Sequence, residues 1–291
     1  MLPAPEMIRK RCRHVEFVAS MRPGEAAVMV WEREKHMAQE PSRFIWYELL
    51  TSDVDAALAF YGKVVGWTEH DSHAPGMDYR LLGIGGAMVG GAMRMPEAAA
   101  GAPPTWLGYL HVADVDASVA KIIGAGGQIR MPATEIPNVG RFALVTDPQG
   151  AAFYVMTPSG GEGESVSFAP GKNGHGGWNE LHARDGQAAL DFYSAQFAWG
   201  KSDEVDMGPA GKYLLFNTGG DAIGGIFGSP APVPHWLYYF NVDDITTAIS
   251  RVQGAGGKID NGPHQVPGGQ WIIQAHDPQG AAFALVSAQK S

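Results

Sequence analysis

From residue 44 onward the spacing of apolar positions changes period several times, and each change marks an element. Phe44–Leu50 (FIWYELL) is rich in aromatic and alternating residues and predicts a strand. After it the spacing becomes helical: Val54, Leu58, Tyr61 and Val65 fall on one face, with Ser52 or Asp53 placed to cap the first turn. Short strands with Gly-rich turns are predicted at Tyr79–Ile84 and Ala87–Met93, and another at Trp106–Val112. Asp114 opens a second helix bearing Val115, Val119, Ile122 and Ile123, and Gly124 stops it. Strands near Gln128–Met131 and Phe142–Thr146 lead to Asp147-Pro-Gln-Gly, a turn with Pro at its second position and Gly at its fourth. Ala152–Thr157 is the last strand, so the order is βαβββ twice.

The same plan then repeats. WYELLTSDVDAALAFYGKVVGW from Trp46 is matched by WNELHARDGQAALDFYSAQFAW from Trp178, and DPQGAAF recurs letter for letter from Asp147 and Asp277. An identical heptamer in equivalent places marks a tandem duplication of a unit far longer than a solenoid repeat. Helices are expected at about 185–198 and 244–253 in the second copy. The domain expectation is a first copy over residues 41–158, a Gly/Ser/Pro linker over 159–176, and a second copy over 177–291, each able to fold alone. Residues 1–40 follow no period and lack the apolar core of a secretory signal; they read as a poorly ordered extension or a misassigned start.

Composition narrows the function. The chain of 291 residues carries 30 acidic against 21 basic side chains, a net charge of −9, which disfavours a nucleic-acid partner on electrostatic grounds. No apolar run is long enough to span a membrane as a helix. The single cysteine, Cys12, excludes an internal disulfide and any zinc site built from several thiolates, and fits a cytoplasmic, reducing setting. The expected partner is a small molecule, with the chain a monomer or homodimer.

Paired βαβββ units, an F-Y pair late in the first helix and DPxG before the last strand resemble the vicinal oxygen chelate superfamily, which includes glyoxalase I, bleomycin-resistance proteins and extradiol dioxygenases. The resemblance implies an α+β fold of two tandem glyoxalase-like domains, each a pair of βαβββ units curling into a cupped sheet with the site inside. It also implies metal-ligand places on the strands, and these fall on Trp46, Leu107, Tyr154 and Gly90-Gly91 in the first copy. In the second they fall on Trp178, Leu237, Ala284 and Gly224-Gly225. Metal chemistry needs imidazole or carboxylate there. The expectation is therefore no cofactor, with an unconventional divalent-metal site from Glu180, His182 and His235 as the minority alternative.

Because side chains two apart on a strand share a face, Trp46, Glu48, Tyr109, His111 and Tyr154 are expected to line the first cup. Trp178, Glu180, His182 and Tyr239 are expected in the second. Glu48, His111, Glu180 and His182 are the candidate acid–base groups; Trp46, Tyr109, Tyr154, Trp178 and Tyr239 are the candidate ligand contacts. For Glu48 a structural hydrogen bond, or an ion pair with Arg80 or Arg94, competes with general-base work. For His111 a core or rim role competes with catalysis. The glycine pairs read as close sheet packing rather than phosphate loops. Three functions remain: a metal-independent binder of an apolar or aromatic molecule, a glyoxalase-like enzyme acting on a carbonyl or hydroxy compound, and a scaffold with closed cups. The first cup, richer in aromatic and polar groups, is expected to be the working one.

Overall fold

The computed structural model describes residues 11–12, 15–16, 40–72, 78–99, 101–160, 165–208, 211–228 and 233–291. Contacts divide the chain into two units, Met1–Gln39 and Glu40–Ser291. In the first, two short strands, β1 (Arg11–Cys12) and β2 (Val15–Glu16), pair antiparallel. The expectation of an N-terminal extension otherwise lies outside the described residues.

The second unit holds both copies. The first runs β3 (Phe44–Thr51), α1 (Val54–Val64), β4 (Thr68–Asp71), β5 (Tyr79–Ile84), β6 (Ala87–Arg94), β7 (Thr105–His111), α2 (Val115–Gly124), β8 (Gln128–Ile136), β9 (Gly140–Thr146) and β10 (Ala152–Pro158). The second runs β11 (Gly176–Ala183), α3 (Gly186–Phe197), β12 (Gly200–Asp206), β13 (Lys212–Asn217), β14 (Ala222–Gly228), β15 (His235–Asn241), α4 (Ile245–Gly254), β16 (Lys258–Gln265), β17 (Trp271–His276) and β18 (Ala282–Ser287). Each copy forms one eight-stranded sheet, in the orders β4-β5-β6-β3-β7-β10-β9-β8 and β12-β13-β14-β11-β15-β18-β17-β16. The two βαβββ units of a copy join where β3 meets β7, and β11 meets β15, antiparallel. The expected fold class is the observed one. Strand β4 was not legible: its sequence TEHD is exposed throughout, so no apolar period marks it.

Local chemistry sets the helix starts. Asp53, Asp114, Asp185 and Asp244 are extended N-caps, each accepting a hydrogen bond from the backbone N–H three residues on. The duplicated Asp147 and Asp277 close their turns in a similar way. Asp147 Oδ1 takes the N–H groups of Gln149, Gly150 and Ala151, and Asp277 Oδ1 takes those of Gln279 and Ala281.

Alternation along β3 assigns one face of the first sheet to a core shared with the second. Tyr47 and Leu49 enter that core, which also contains Tyr238, Phe240 and Phe283 from the other copy. Tyr47 lies 5.1 Å from Tyr238, and Trp67 lies 4.8 Å from Phe240, between ring centroids. Polar groups cross the same boundary in matched pairs. Tyr61 of α1 donates to Asp277 at 3.1 Å, and Tyr193 of α3 donates to Asp147 at 3.3 Å. The helix tyrosine of each copy thus bonds the DPQG aspartate of the other. Buried residues of the two copies form a single core cluster. Each buried aromatic contributes on the order of 1.5–3 kcal/mol that an isolated copy would forgo.

The connection between copies is packed where it is described. Trp67 Nε1 donates to the Gly174 carbonyl at 2.7 Å, and Ser165 Oγ donates to the Ile45 carbonyl. Asn241 Nδ2 donates to the His175 carbonyl at 2.9 Å, while its Oδ1 accepts from Gly171 N–H. Ser167 and His175 are buried. Among the described residues no helix is long and apolar enough to cross a membrane.

Candidate functional site

The face of each sheet turned away from the shared core carries its own apolar cluster. In the first copy Leu50, Leu107, Tyr109 and Tyr154 are its buried members, with Trp46, Met131, Phe142 and Met156 among the half-buried residues around them. Register explains the set. Trp46 lies opposite Tyr109 across β3/β7, and Tyr109 lies beside Tyr154 across β7/β10. The Tyr109 and Tyr154 rings stack at 4.2 Å between centroids, 19° from parallel.

Glu48 forms the floor of this first cup at 3% exposure. Tyr109 Oη donates to its Oε2 at 2.9 Å, and the hydroxyls of Tyr154 and Tyr79 are directed at the same carboxyl. Trp46 Nε1 in turn donates to Tyr79 Oη at 2.8 Å. Burial pushes the Glu48 pKa up, and the tyrosine hydrogen bonds oppose that shift only in part. Burial, followed by the Glu48 charge, pushes the Tyr79 and Tyr109 hydroxyls well above their ordinary range.

The second cup repeats the floor and changes the walls. Trp178 Nε1 donates to Tyr213 Oη at 2.7 Å, and Tyr213 donates to Glu180 Oε2 at 2.9 Å. Tyr239 donates to the same oxygen at 3.2 Å. Glu180 Oε1 accepts from His182 Nε2 at 2.8 Å and from Gln274 Nε2 at 3.1 Å. The imidazoles of His182 and His235 stack in parallel, 4.7 Å apart. Desolvation lowers the pKa of His235. The apolar cluster is smaller here: Leu237, Tyr239, Ala284 and Val286, with Trp178, Ile272 and Ala282 against them.

The expected lining residues Trp46, Glu48, Tyr109 and Tyr154 come together, as do Trp178, Glu180, His182 and Tyr239. His111 does not join the bonds around Glu48; it ends β7, half-buried and paired with Met156. Its counterpart Asn241 is committed to the inter-copy connection. The ion-pair alternative for Glu48 is corrected: Arg80 pairs with Asp78 and Glu69, and Arg94 Nη1 donates to the Ser52 carbonyl. Tyrosines, not arginines, hold this carboxyl.

Three participants escaped the sequence reading: Tyr79, Tyr213 and Gln274. Tyr79 and Tyr213 left a signal in the glycine pairs. A side chain at Gly91 would collide with the Tyr79 phenol, and one at Gly225 with that of Tyr213. At Gly90 a Cβ would stand 2.7 Å from the Tyr47 carbonyl oxygen. The pairs are there for close packing, with one glycine admitting a tyrosine to the carboxyl.

The strand places that the resemblance marks for metal ligands hold indole, leucine, phenol, alanine and glycine. None supplies an imidazole or carboxylate, so those residues do not fit a divalent metal. Among the described residues no group of three or more His, Cys, Asp or Glu side chains is arranged to hold one elsewhere. In the second cup His182 Nε2 is bonded to Glu180 and His235 Nδ1 to the Val233 carbonyl. The Glu180 oxygens are already occupied by four donors.

Comparison with known proteins places this geometry. The sequence model of the Glyoxalase/Bleomycin resistance protein/Dioxygenase superfamily matches residues 43–155 and 177–285. CFP32 of Mycobacterium tuberculosis, named as a glyoxylase, is 34% identical over 246 residues, covering 83% of this chain and 93% of its own length. The anthracycline biosynthesis protein DnrV of Streptomyces peucetius is 30% identical over 262 residues, covering 84% and 93%. Among solved structures, the Mn(II)-bound glyoxalase from Novosphingobium aromaticivorans aligns with a TM-score of 0.59 at 19% identity, over 86% of this chain and 82% of that one. Homoprotocatechuate 2,3-dioxygenase from Brevibacterium fuscum, in its substrate complex, aligns with a TM-score of 0.61 at 14% identity, over 86% and 81%. The likenesses to solved structures show a shared fold, and the Novosphingobium glyoxalase holds Mn(II). With both copies matched by the family model and a relative above 30% identity along most of its length, this chain belongs to the glyoxalase/bleomycin resistance protein/dioxygenase superfamily.

Proposed function

We propose that this protein binds a small apolar or aromatic molecule in the first cup, without a metal such as the Mn(II) of the Novosphingobium glyoxalase, in the cytoplasm. One observation carries the reading: the cup face of the first sheet bears an apolar cluster separate from the shared core, in which Trp46, Phe142 and Met156 among others are only partly buried. An apolar surface with one polar floor is the usual make-up of a small-molecule site. Trp46, Tyr109 and Tyr154 supply flat contact area, and Glu48 with its tyrosines supplies the hydrogen-bonding end. The donor set at the strand ligand places supports metal independence.

The test is titration of the full chain with N-phenyl-1-naphthylamine, a neutral probe that fluoresces in apolar surroundings. Phe142→Asp, which sets a charge in the wall, is expected to weaken binding at least tenfold in a variant that still melts cooperatively. Ile272→Asp, its counterpart in the second cup, is expected to leave binding in place. Equal loss in both variants, or none in Phe142→Asp, overturns the reading.

An enzymatic reading is favoured by a different observation. The 2.8 Å contact between Glu180 and His182 pairs a carboxylate with an imidazole, an arrangement that orients a general base. In that reading Glu180 and His182 carry proton transfer on a carbonyl or hydroxy compound, and His182→Gln abolishes turnover without affecting probe binding in the first cup.

A further inference from the structure

An asparagine followed by glycine is the pair in which a backbone nitrogen most readily reaches the preceding side-chain amide, because glycine has no Cβ to hold the two apart. The chain has two such pairs, Asn173-Gly174 and Asn261-Gly262, and the fold treats them oppositely. At the first, the nitrogen is taken: Gly174 is buried, and its N–H donates to the Asn241 carbonyl at 2.8 Å. At the second, Asn261 is exposed on β16, the outermost strand of its sheet. Pairing with β17 skips from Asn261 opposite Gln274 to His264 opposite Ile272. Gly262 therefore sits in a bulge, with φ at +97°, outside the register of the neighbouring strand.

His264 completes the second pair. Its Nε2 lies 2.7 Å from Asn261 Oδ1. A carboxamide oxygen only accepts, so the imidazole nitrogen donates. A donor fixed on that oxygen stabilises the negative charge that gathers there when a nucleophile adds to the amide carbon. From the other end of the same amide, Asn261 Nδ2 donates to Gln274 Oε1 at 3.3 Å. That contact holds the half-buried Gln274 with its Nε2 turned inward, where it donates to Glu180 Oε1 at 3.1 Å and to Tyr239 Oη at 2.8 Å. Asn261, Gln274 and Glu180 thus form a line of amide and carboxyl groups from the sheet edge to the floor of the second cup.

The geometry points to Asn261 as a site of self-deamidation whose product turns Gln274 over and removes a donor from Glu180. The Gly262 nitrogen, deprotonated by hydroxide from solvent, attacks Asn261 Cγ. A bond forms between them, the Cγ–Nδ2 bond breaks, and the leaving nitrogen takes a proton from water and departs as ammonia. Water then opens the resulting succinimide at either carbonyl, giving aspartate or isoaspartate, so the net change is amide plus water to carboxylate plus ammonium. The new side chain only accepts. Gln274 Oε1 then faces another acceptor, and the amide rotates to offer Nε2 to the new carboxylate. Glu180 Oε1 is left with His182 alone. The inference does not depend on ligand binding in the first cup.

The experiment ages the full-length protein in mildly alkaline buffer and follows both pairs by peptide mapping with mass spectrometry. Residue 261 is expected to convert to the acid roughly tenfold faster than residue 173, because only its attacking nitrogen is free of the ladder and its carbonyl is held by a donor. His264→Ala is expected to slow that conversion several-fold. Asn261→Asp supplies the product directly, and proton–nitrogen NMR reads the side-chain amide of Gln274, identified by its loss in Gln274→Met. In Asn261→Asp, and in the aged protein, the Gln274 signals are expected to move. Asn261 and His264 are exposed, so both variants are expected to fold. No conversion at 261, conversion at 173 as fast as at 261, an unchanged rate in His264→Ala, or Gln274 signals that stay in place in Asn261→Asp each overturn the proposal.

Discussion

At the scale of single residues, Glu48 is held by tyrosine hydroxyls rather than by charges, and this has a consequence for stability. Burial raises the Glu48 pKa above its ordinary 4.5. A carboxyl with a raised folded pKa binds its proton more tightly in the folded state. The stability it lends is therefore full below about 4.5 and is lost as pH rises through the raised value. Glu48→Gln cannot ionise and is nearly isosteric. The melting temperature of Glu48→Gln minus that of wild type should become more positive from pH 4 to pH 8. Asp147 and Asp277 are also raised by burial, but both proteins carry them, so their effect cancels in the difference. A difference that stays flat or falls with pH would show that the tyrosines outweigh desolvation.

At the scale of elements, the helix tyrosines and the DPQG turns explain one another. Tyr61 accepts from Trp106 Nε1 at 2.9 Å and donates to Asp277, while Tyr193 accepts from Trp236 Nε1 at 3.2 Å and donates to Asp147. Each chain of three groups starts on a strand of one copy, passes through that copy's first helix and ends on the turn of the other. Tyr61→Phe leaves a buried indole N–H and a buried carboxylate oxygen without their partner, a loss of about 1–3 kcal/mol. Asp277→Asn combined with Tyr61→Phe should cost less than the two single changes added together, because both remove the same bond. Chemical denaturation of the four proteins in this cycle measures the coupling, and strict additivity would mean that the contact contributes nothing. The glycine pairs act at this scale too, since Gly91 and Gly225 set how closely a tyrosine on the neighbouring strand approaches the cup floor.

At the scale of the whole molecule, the shared core decides what can fold alone. A chain of residues 40–160 would expose Tyr47, Phe60 and Phe153, each at most 2% exposed in the intact unit, and would leave Asp147 without Tyr193. The lost burial of three such aromatics, at about 1.5–3 kcal/mol each, is comparable to the usual net stability of a domain, about 5–15 kcal/mol. The fragment should show no cooperative thermal transition by itself and should regain one when mixed with residues 165–291. A sharp transition in the isolated fragment would mean that each sheet buries its inner face without the other.

The sequence by itself determined the elements and their pairing plan. Local signals carried these: the switch from strand to helical spacing, aspartate caps, DPxG turns and a duplication visible letter by letter. It also placed Glu48 and Glu180 beside aromatic residues, because alternation on one strand needs no tertiary information. It could not show β4, whose four residues carry no apolar period, nor that Arg80 and Arg94 turn away from Glu48. It gave no sign that Gln274 reaches Glu180, and only the glycine pairs hinted at Tyr79 and Tyr213, because all three come from other strands and only sheet register sets them there. Above all, tertiary structure decided which face of each sheet is core. The apolar alternation that makes Tyr47 and Leu49 interior reads the same whether a copy buries that face alone or against its twin. Only the packing of one copy on the other makes the two a single unit and leaves the opposite faces as cups.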